Sequence, residues 1–168
     1  AERLLKMVNS ILDISRLEGG NTKLQAIEVA PGPVIDKILA FFHSKFLDKG
    51  IQLEKSLPHS SKIYLDLDKF ETILINLLSN AFKFTPTDGV ISLSLEETAH
   101  AIEIIVKDSG QGIPEKDLPY VFDRFYQSPT IKSGEGLGVG LALTKELMDL
   151  HQGKVAVSNE YGAKFVLT

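Results

Sequence analysis

The chain contains no cysteine and no tryptophan among its 168 residues. The lack of cysteine excludes disulfide bonds and thiolate metal sites, and it fits a reducing compartment, so we expect a cytoplasmic location. No apolar run approaches the roughly 20 residues that span a bilayer. The amino terminus lacks the features of a signal peptide and resembles the middle of a helix. We therefore interpret the chain as part of a longer protein.

An excess of positive charge is also lacking. The chain has 18 Lys and Arg residues against 22 Asp and Glu residues, which gives a net charge of -4. There is thus no general electrostatic case for nucleic acid or an anionic membrane surface, and we expect no nucleic-acid partner. A polyanion, if bound, needs a local site. The length and the 43% hydrophobic content suit one globular domain with a small appendage.

Residues 1–17 predict an amphipathic helix. Its apolar residues recur at alternating spacings of three and four, at Leu4, Met7, Ile11 and Ile14. The turn signal at residues 19–21 ends this helix and places a domain boundary near residue 20. The spacing favours a helical bundle partner, and packing against the chain's own domain is the alternative.

The rest of the chain predicts one α+β domain with antiparallel hairpins. Three helices are expected: one with Pro33 in its first turn that ends at Gly50, one capped by Asp68 that runs to about Phe84, and one over residues 141–150. The predicted strands cover residues 23–29, 51–54, 63–66, 90–95, 102–106, 154–158 and 163–167.

The second of these helices carries a first candidate site. Asn76 and Asn80 are four residues apart and share a face, with Lys83 close to the same side. Two carboxamides and an ammonium group offer oxygen ligands for a hard cation and donors for phosphate. The alternative is an ordinary solvated helix face.

A second candidate follows the strand predicted over residues 102–106. Asp108 stands beside Gly110 and Gly112, so its carboxylate could accept the exocyclic amine of a base while the backbone approaches closely. The alternative is a surface turn, because turns use the same residues.

A third candidate is the glycine-rich segment 134–141, which leads directly into a predicted helix. Backbone amides at a helix start bind anions, which indicates a phosphate site. No Lys-Ser/Thr pair follows and no strand directly precedes it, so it is neither a Walker loop nor a Rossmann turn. The alternative is a flexible linker.

In this order, four segments resemble the ATP-site boxes of sensor histidine kinases: residues 76–85, 108–114, 121–127 and 136–141. Residues 12–18 resemble the end of the second dimerisation helix in the same family, so the resemblance covers essentially the whole chain. It implies the Bergerat fold, a two-layer α/β sandwich whose mixed sheet carries three helices on one face, preceded by one long amino-terminal helix. Residues 1–20 would then end the dimerisation hairpin, and residues 21–168 would form the ATP-binding catalytic domain.

The resemblance also implies ATP and Mg²⁺ as cofactors. Asn80 would coordinate the metal with support from Asn76 and Lys83, and these three are the implied catalytic residues. Asp108 would accept the adenine amine. Phe122 and Phe125 would hinge a lid, and the last glycines would cradle the triphosphate. The implied nucleotide-binding residues besides Asp108 are Gly110, Gly112, Ile113, Phe122, Phe125, Lys132, Gly136, Leu137, Gly138, Gly140 and Leu141.

The implied activity is transfer of the ATP γ-phosphate to a histidine outside this chain, for relay to a response-regulator aspartate. The implied partners are a dimerisation hairpin, a receiver domain and a second copy of the full-length protein, which would be a membrane-bound sensor with this domain in the cytoplasm. The chain's histidines lack the setting of an acceptor, and we expect them to be surface or structural residues; they are His43, His59, His100 and His151.

One position distinguishes this chain from other ATPases of the implied fold, and two depart from the family that it resembles. Asn76 stands where other ATPases of this fold carry a glutamate that activates water, and an amide cannot take a proton at neutral pH, so we expect slow hydrolysis. Gln127 replaces a frequent arginine, for which Lys132 could substitute, and Ala163 replaces a usual hydroxyl residue.

Two other functions remain open: a nucleotide-dependent interaction module without catalysis, and an anti-sigma-type serine kinase, which would not need the first helix.

Overall fold

The computed structural model describes residue 12 and residues 22–58, 62–99, 101–129 and 137–168. The predicted helix over residues 1–17 therefore lies outside the described residues except for Leu12, as do Lys132 and Gly136. The strands are β1 (Ile27–Val29), β2 (Gln52–Ser56), β3 (Ile63–Leu65), β4 (Val90–Glu97), β5 (Ile102–Asp108), β6 (Val155–Asn159) and β7 (Ala163–Leu167). The helices are α1 (Pro31–Asp48), α2 (Leu67–Phe84) and α3 (Gly140–Leu150).

A mixed sheet of five strands, in the order β2-β4-β5-β7-β6, forms one layer of the domain. Strand β2 is parallel to β4, and the other pairs in this sheet are antiparallel. Strands β1 and β3 form a separate antiparallel pair. The three helices pack on one face of the large sheet, where Leu77 on α2, Ile91 on β4 and Val106 on β5 are almost fully buried. This architecture confirms the predicted sandwich.

Helix α2 positions the first candidate site because its apolar residues recur every three or four positions. They form the buried face: Phe70, Ile73, Leu74, Leu77, Leu78 and Ala81. Asn76 and Asn80 lie outside this face and stay half-buried. No helix in the described part of the chain has the length and apolarity needed to cross a membrane.

The amino-terminal cap of α2 corrects the prediction that Asp68 caps this helix. The cap is Asp66, whose side chain accepts a hydrogen bond from the Lys69 amide at 3.2 Å. Asp66 still has extended backbone, whereas Asp68 already lies inside the first turn. Only the residue just before the first turn can reach the unpaired amides of that turn.

Element boundaries differ from the predictions where pairing decides them. Strand β1 has three residues instead of the predicted seven, because it pairs only with the three residues of β3. Helix α1 begins at Pro31, so Pro33 lies in its first turn, as predicted. Strands β4 and β5 extend beyond the prediction, to Glu97 and Asp108, because they pair with each other along their length. The prediction of β7 over residues 163–167 is confirmed.

Candidate functional site

Three contacts bring the candidate segments together. The Asn76 side-chain Nδ2 on α2 donates a hydrogen bond to the carbonyl oxygen of Gly140, the first residue of α3, at 3.1 Å. The Phe125 amide donates to the Gly138 carbonyl oxygen at 2.7 Å. A Cβ atom at Gly110 would lie 2.5 Å from the carbonyl oxygen of Phe84, the last residue of α2. The four segments that resemble the ATP-site boxes therefore meet in one place.

The polar face of α2 presents two differently engaged amides. Asn76 is occupied by its bond to Gly140, while the half-buried carboxamide of Asn80 makes no hydrogen bond to any described residue. Lys83 lies one turn further on, with its Nζ 4.8 Å from the centroid of the Phe84 ring. Asn80 thus has both its oxygen and its nitrogen available to a ligand, whereas Asn76 has only its oxygen.

The described residues hold no group of three His, Cys, Asp or Glu side chains that could bind a metal ion. A cation at Asn80 would therefore have few protein ligands. This donor set fits Mg²⁺, which usually keeps several waters and completes its coordination with phosphate oxygens. The site suits a metal that arrives with a phosphorylated ligand.

Asp108 ends strand β5, and its residue is only 6% exposed. Its Oδ1 accepts hydrogen bonds from the amides of Gly110, at 2.8 Å, and Ala163, at 3.4 Å. Burial raises the pKa of the Asp108 carboxyl above its ordinary value, although the two amide donors oppose this shift. No described cation offsets the burial. Such a carboxylate has unused capacity to accept hydrogen bonds.

The second oxygen of Asp108 is open to a ligand. Oδ2 accepts no hydrogen bond from the described residues. Among these residues, however, no fully buried side-chain oxygen or nitrogen lacks a partner. Oδ2 must therefore be at least slightly exposed, so that a donor from outside the protein could bind it.

The loop after Asp108 is held from the opposite side by Asn159, the last residue of β6. Asn159 hydrogen-bonds to both backbone groups of Ile113. This role could not be predicted from the sequence, since an asparagine at the end of a strand carries no signal of a partner 46 residues away. Ile113 itself packs against the core with part of its surface exposed, as do Phe122, Leu137 and Leu141. These predicted nucleotide-binding residues can form an apolar wall.

The first part of the predicted lid is held together by Asp117, whose role could not be predicted from the sequence either. The Tyr126 hydroxyl donates to Asp117 Oδ1 at 2.8 Å, and the Ser128 hydroxyl donates to Oδ2. The hydrogen bond from Ser128, with a further one from Tyr126, holds the pKa of the Asp117 carboxyl below its ordinary value. Two hydroxyls and a buried carboxylate thus fix this segment internally.

The lid reaches the glycine-rich segment at Phe125, which is 53% exposed and has the rare backbone angle φ 63°. Gly138 opposite has φ 67°, and a Cβ atom there would lie 2.5 Å from the Tyr126 carbonyl oxygen. Only glycine fits this contact without strain. Lys132 and Gly136 lie outside the described residues, so their roles stay predictions.

The two described histidines confirm the expectation of surface or structural roles. His43 is exposed on α1. His151 follows α3, and its Nε2 accepts a hydrogen bond from the Asp66 amide at 3.1 Å while its Nδ1 lies 2.7 Å from the Leu147 carbonyl oxygen. This pair of contacts requires the tautomer with the proton on Nδ1. His151 therefore joins the end of α3 to the start of α2.

Comparison with known proteins agrees with this geometry. Residues 65–168 match the family described as histidine kinase-, DNA gyrase B-, and HSP90-like ATPase. The chain belongs to this family. Within the family, it is an ATP-binding domain of the sensor histidine kinase type.

Two curated relatives illustrate the similarity. The sensor histidine kinase TmoS of Ectopseudomonas mendocina is 38% identical over 166 residues, which cover 96% of this chain and 17% of that protein. The sensor histidine kinase CusS of Escherichia coli strain K12 is 31% identical over 169 residues, which cover 99% of this chain and 35% of that protein. The chain thus spans only a minor part of these relatives.

Solved structures show the same fold. Full-length ShkA in complex with AMPPNP superposes with a TM-score of 0.83 at 27% identity, over 98% of this chain and 35% of that one. The catalytic domain of the histidine kinase ThkA gives a TM-score of 0.77 at 25% identity, over 85% of this chain and 93% of that one. The likeness to ThkA therefore spans almost the whole of an isolated catalytic domain.

Proposed function

We propose that this chain binds Mg²⁺-ATP and transfers the γ-phosphate to a histidine of a dimerisation hairpin. The observation that carries the proposal is Asp108, a buried carboxylate with one oxygen held by backbone amides and the other open to a ligand. The exocyclic amine of adenine is a donor that suits this acceptor, whereas guanine presents a carbonyl oxygen at the corresponding position. A hydrogen bond to a charged group contributes about 1.5–3 kcal/mol, enough to select adenine.

The phosphates then lie between α2 and the start of α3. The amino terminus of α3 favours a bound anion through its free amides and helix dipole, and Lys83 adds a positive charge on the neighbouring helix. The Asn80 oxygen is the protein ligand for Mg²⁺, which would neutralise charge on the phosphates when bound. The complex of ShkA with AMPPNP supports nucleotide binding by this fold.

Asn76 explains why bound ATP would survive until an acceptor arrives. Its Nδ2 donates to the Gly140 carbonyl oxygen, so the side chain serves to hold α3 against α2. An amide has no basic lone pair that could take a proton from water at neutral pH. The domain therefore positions the γ-phosphate and leaves the nucleophile to a partner.

The partner in this proposal is a histidine on a dimerisation hairpin, which residues 1–20 would complete. A response-regulator receiver domain would then take the phosphoryl group onto an aspartate, and the full-length protein would act as a homodimer. The names of the relatives as sensor histidine kinases support this arrangement. ATP as the donor places the domain on the cytoplasmic side of a membrane-bound sensor.

The direct test mixes the chain with γ-labelled ATP, Mg²⁺ and a separately produced dimerisation hairpin that carries an acceptor histidine. A sensor histidine kinase such as TmoS, which is 38% identical to this chain, is a suitable source for the acceptor. We expect Mg²⁺-dependent labelling of the hairpin and slow release of free phosphate. Asn80→Ala should abolish labelling, whereas Ser79→Ala, a change at the exposed neighbour, should leave it intact.

The chemical stability of the label separates the possible activities. A phosphohistidine is labile in acid and stable in base, and we expect this behaviour. An acid-stable, base-labile label would indicate a serine kinase instead. ATP binding without any labelling would favour a nucleotide-dependent interaction module, and unchanged labelling by Asn80→Ala would contradict the metal assignment.

A further inference from the structure

The side chain of Asn159 forms a paired contact with the backbone of Ile113. The Ile113 amide donates to Asn159 Oδ1 at 2.9 Å, and Asn159 Nδ2 donates to the Ile113 carbonyl oxygen at 2.7 Å. One carboxamide thus satisfies both backbone groups of a loop residue, as the peptide group of a neighbouring strand would. This contact fixes both the position and the orientation of the loop at Ile113.

The hairpin of β6 and β7, which carries Asn159, also supports Asp108. Asn159 pairs with Ala163 across the β6–β7 hairpin, and the Ala163 amide donates to Asp108 Oδ1 at 3.4 Å. The carboxylate and the loop that follows it are therefore held by two paired residues of one hairpin. Any shift of Asn159 would change the position of Ile113 relative to Asp108.

The backbone at Gly112 is matched to this contact. Gly112 has φ 72°, and a Cβ atom there would lie 2.8 Å from Asn159 Oδ1. A side chain at residue 112 would collide with Asn159, so the glycine is needed for the loop to lie against the asparagine. The loop is thus built around Asn159 at two successive residues.

A general stabilising role explains this arrangement less well. Asn159 is exposed at the edge of the sheet, where an exposed hydrogen bond contributes little to the stability of the fold. Its neighbour Glu160 forms ion pairs with Lys107 and Lys164 and makes no hydrogen bond or ion pair with the loop 110–113. Of these two adjacent residues, Asn159 holds the loop, whereas Glu160 forms ion pairs within the sheet.

We propose that Asn159 is a positioning residue for base recognition: it holds the backbone of Gly112 and Ile113 so that adenine can bind beside Asp108. This inference rests on the proposed function, because it assumes that the loop receives the base of ATP. Asn159 acts through the loop, and its side chain forms no hydrogen bond with a proposed phosphate-binding residue in the described part of the chain.

The test compares binding of ATP and of base-free tripolyphosphate to the wild-type chain, Asn159→Ala and the control Glu160→Ala. Asn159→Ala should weaken ATP binding about tenfold and leave tripolyphosphate binding unchanged, since the loss of two hydrogen bonds is confined to the base end. Asn159→Asp keeps the acceptor for the Ile113 amide, so its ATP affinity should lie between those of the wild type and Asn159→Ala. Glu160→Ala should bind both ligands like the wild type.

Hydrogen exchange of the Ile113 amide in the wild-type chain provides a second measurement that needs no variant. The amide should be protected, and it should exchange faster in Asn159→Ala. Rapid exchange in the wild type, equal ATP affinity in both chains, or a parallel loss of tripolyphosphate binding would each overturn the inference. A wild-type chain that bound no ATP at all would instead overturn the proposed function, and this inference with it.

Discussion

Two buried carboxylates lie in different regions of the domain and in opposite electrostatic settings. Asp66, at the start of α2, is 4% exposed, and Asp108, at the end of β5, is 6% exposed. Burial disfavours the charge of Asp66, but hydrogen bonds from Lys69 and from the Gln25 amide hold the pKa of its carboxyl below the ordinary value. Asp108 has only two backbone donors, and burial raises the pKa of its carboxyl.

The difference separates a structural carboxylate from the one that we propose binds a ligand. Asp66 uses both oxygens within the protein, on Lys69 and Gln25, and caps a helix. Asp108 leaves Oδ2 without a protein partner among the described residues. A buried charge that lacks full compensation costs stability, and hydrogen bonds from a bound ligand can offset that cost.

The largest expected effect on folding stability comes from adding a side chain at Gly162, next to the backbone of Asp108. A Cβ atom at Gly162 would lie 1.8 Å from the Asp108 carbonyl oxygen, so Gly162→Ala must displace the hairpin or β5. We expect the free energy of unfolding to fall by about 3 kcal/mol, as for other overpacked sites. Denaturant unfolding measures it. Gly32→Ala is the control, because nothing lies within 4 Å of its new Cβ atom, and it should be neutral or slightly stabilising.

The isosteric changes Asp66→Asn and Asp108→Asn should have opposite effects on stability. The first removes the charge that Lys69 and the Gln25 amide stabilise and should lower the free energy of unfolding by about 1–2 kcal/mol. The second removes an uncompensated charge and should leave stability unchanged or raise it. Chemical denaturation at pH 7 compares them, and an equal loss in both variants would refute the distinction.

The pH dependence should sharpen the same contrast. Since the pKa of Asp108 is raised, its burial cost is complete above that pKa and fades as the pH falls towards the ordinary carboxyl value. Since the pKa of Asp66 is lowered, its contribution persists down to the ordinary value and is lost below it. On acidification, the gap between the wild type and Asp108→Asn should therefore close first. Unfolding curves over a pH series test this order.

The smallest expected effect is that of restoring a hydroxyl beside Asp108. The Ala163 amide already donates a hydrogen bond to Asp108 Oδ1, so the hydroxyl of Ala163→Ser would lie nearby and can add a further donor from the same residue. We expect a lower pKa for Asp108 and a gain of about 0.5–1 kcal/mol in stability. NMR titration of the Asp108 carboxyl measures the first effect. An unchanged or raised pKa would show that the new hydroxyl does not reach the carboxylate.

The sequence predicted those features that depend on local pattern. The apolar periodicity of α2 and the alternation in β7 gave these elements, and the joint resemblance of four segments gave the family. Asp108 was predicted as the base acceptor because a carboxylate beside two glycines is itself a local signal. Its burial and its open oxygen required the structure.

Other features depend on pairing and could not be predicted from local pattern. Asp66 and Asp68 are equally suited to cap a helix until the backbone shows which one precedes the first turn. Asn159 and Asp117 gain their roles only when the fold brings Ile113 and Tyr126 to them. The parallel pairing of β2 with β4 likewise follows from the position of α1 and the later strands, not from the strand's own residues.

Nucleotide binding by Asp108→Asn tests most directly whether Asp108 is kept for a ligand. Titrations with ATP and GTP in the presence of Mg²⁺ should show that the wild type prefers ATP, and that Asp108→Asn binds ATP about tenfold or more weakly with a reduced preference over GTP. Asp66→Asn should keep both the affinity and the preference. Undiminished ATP binding with full discrimination in Asp108→Asn would contradict the account.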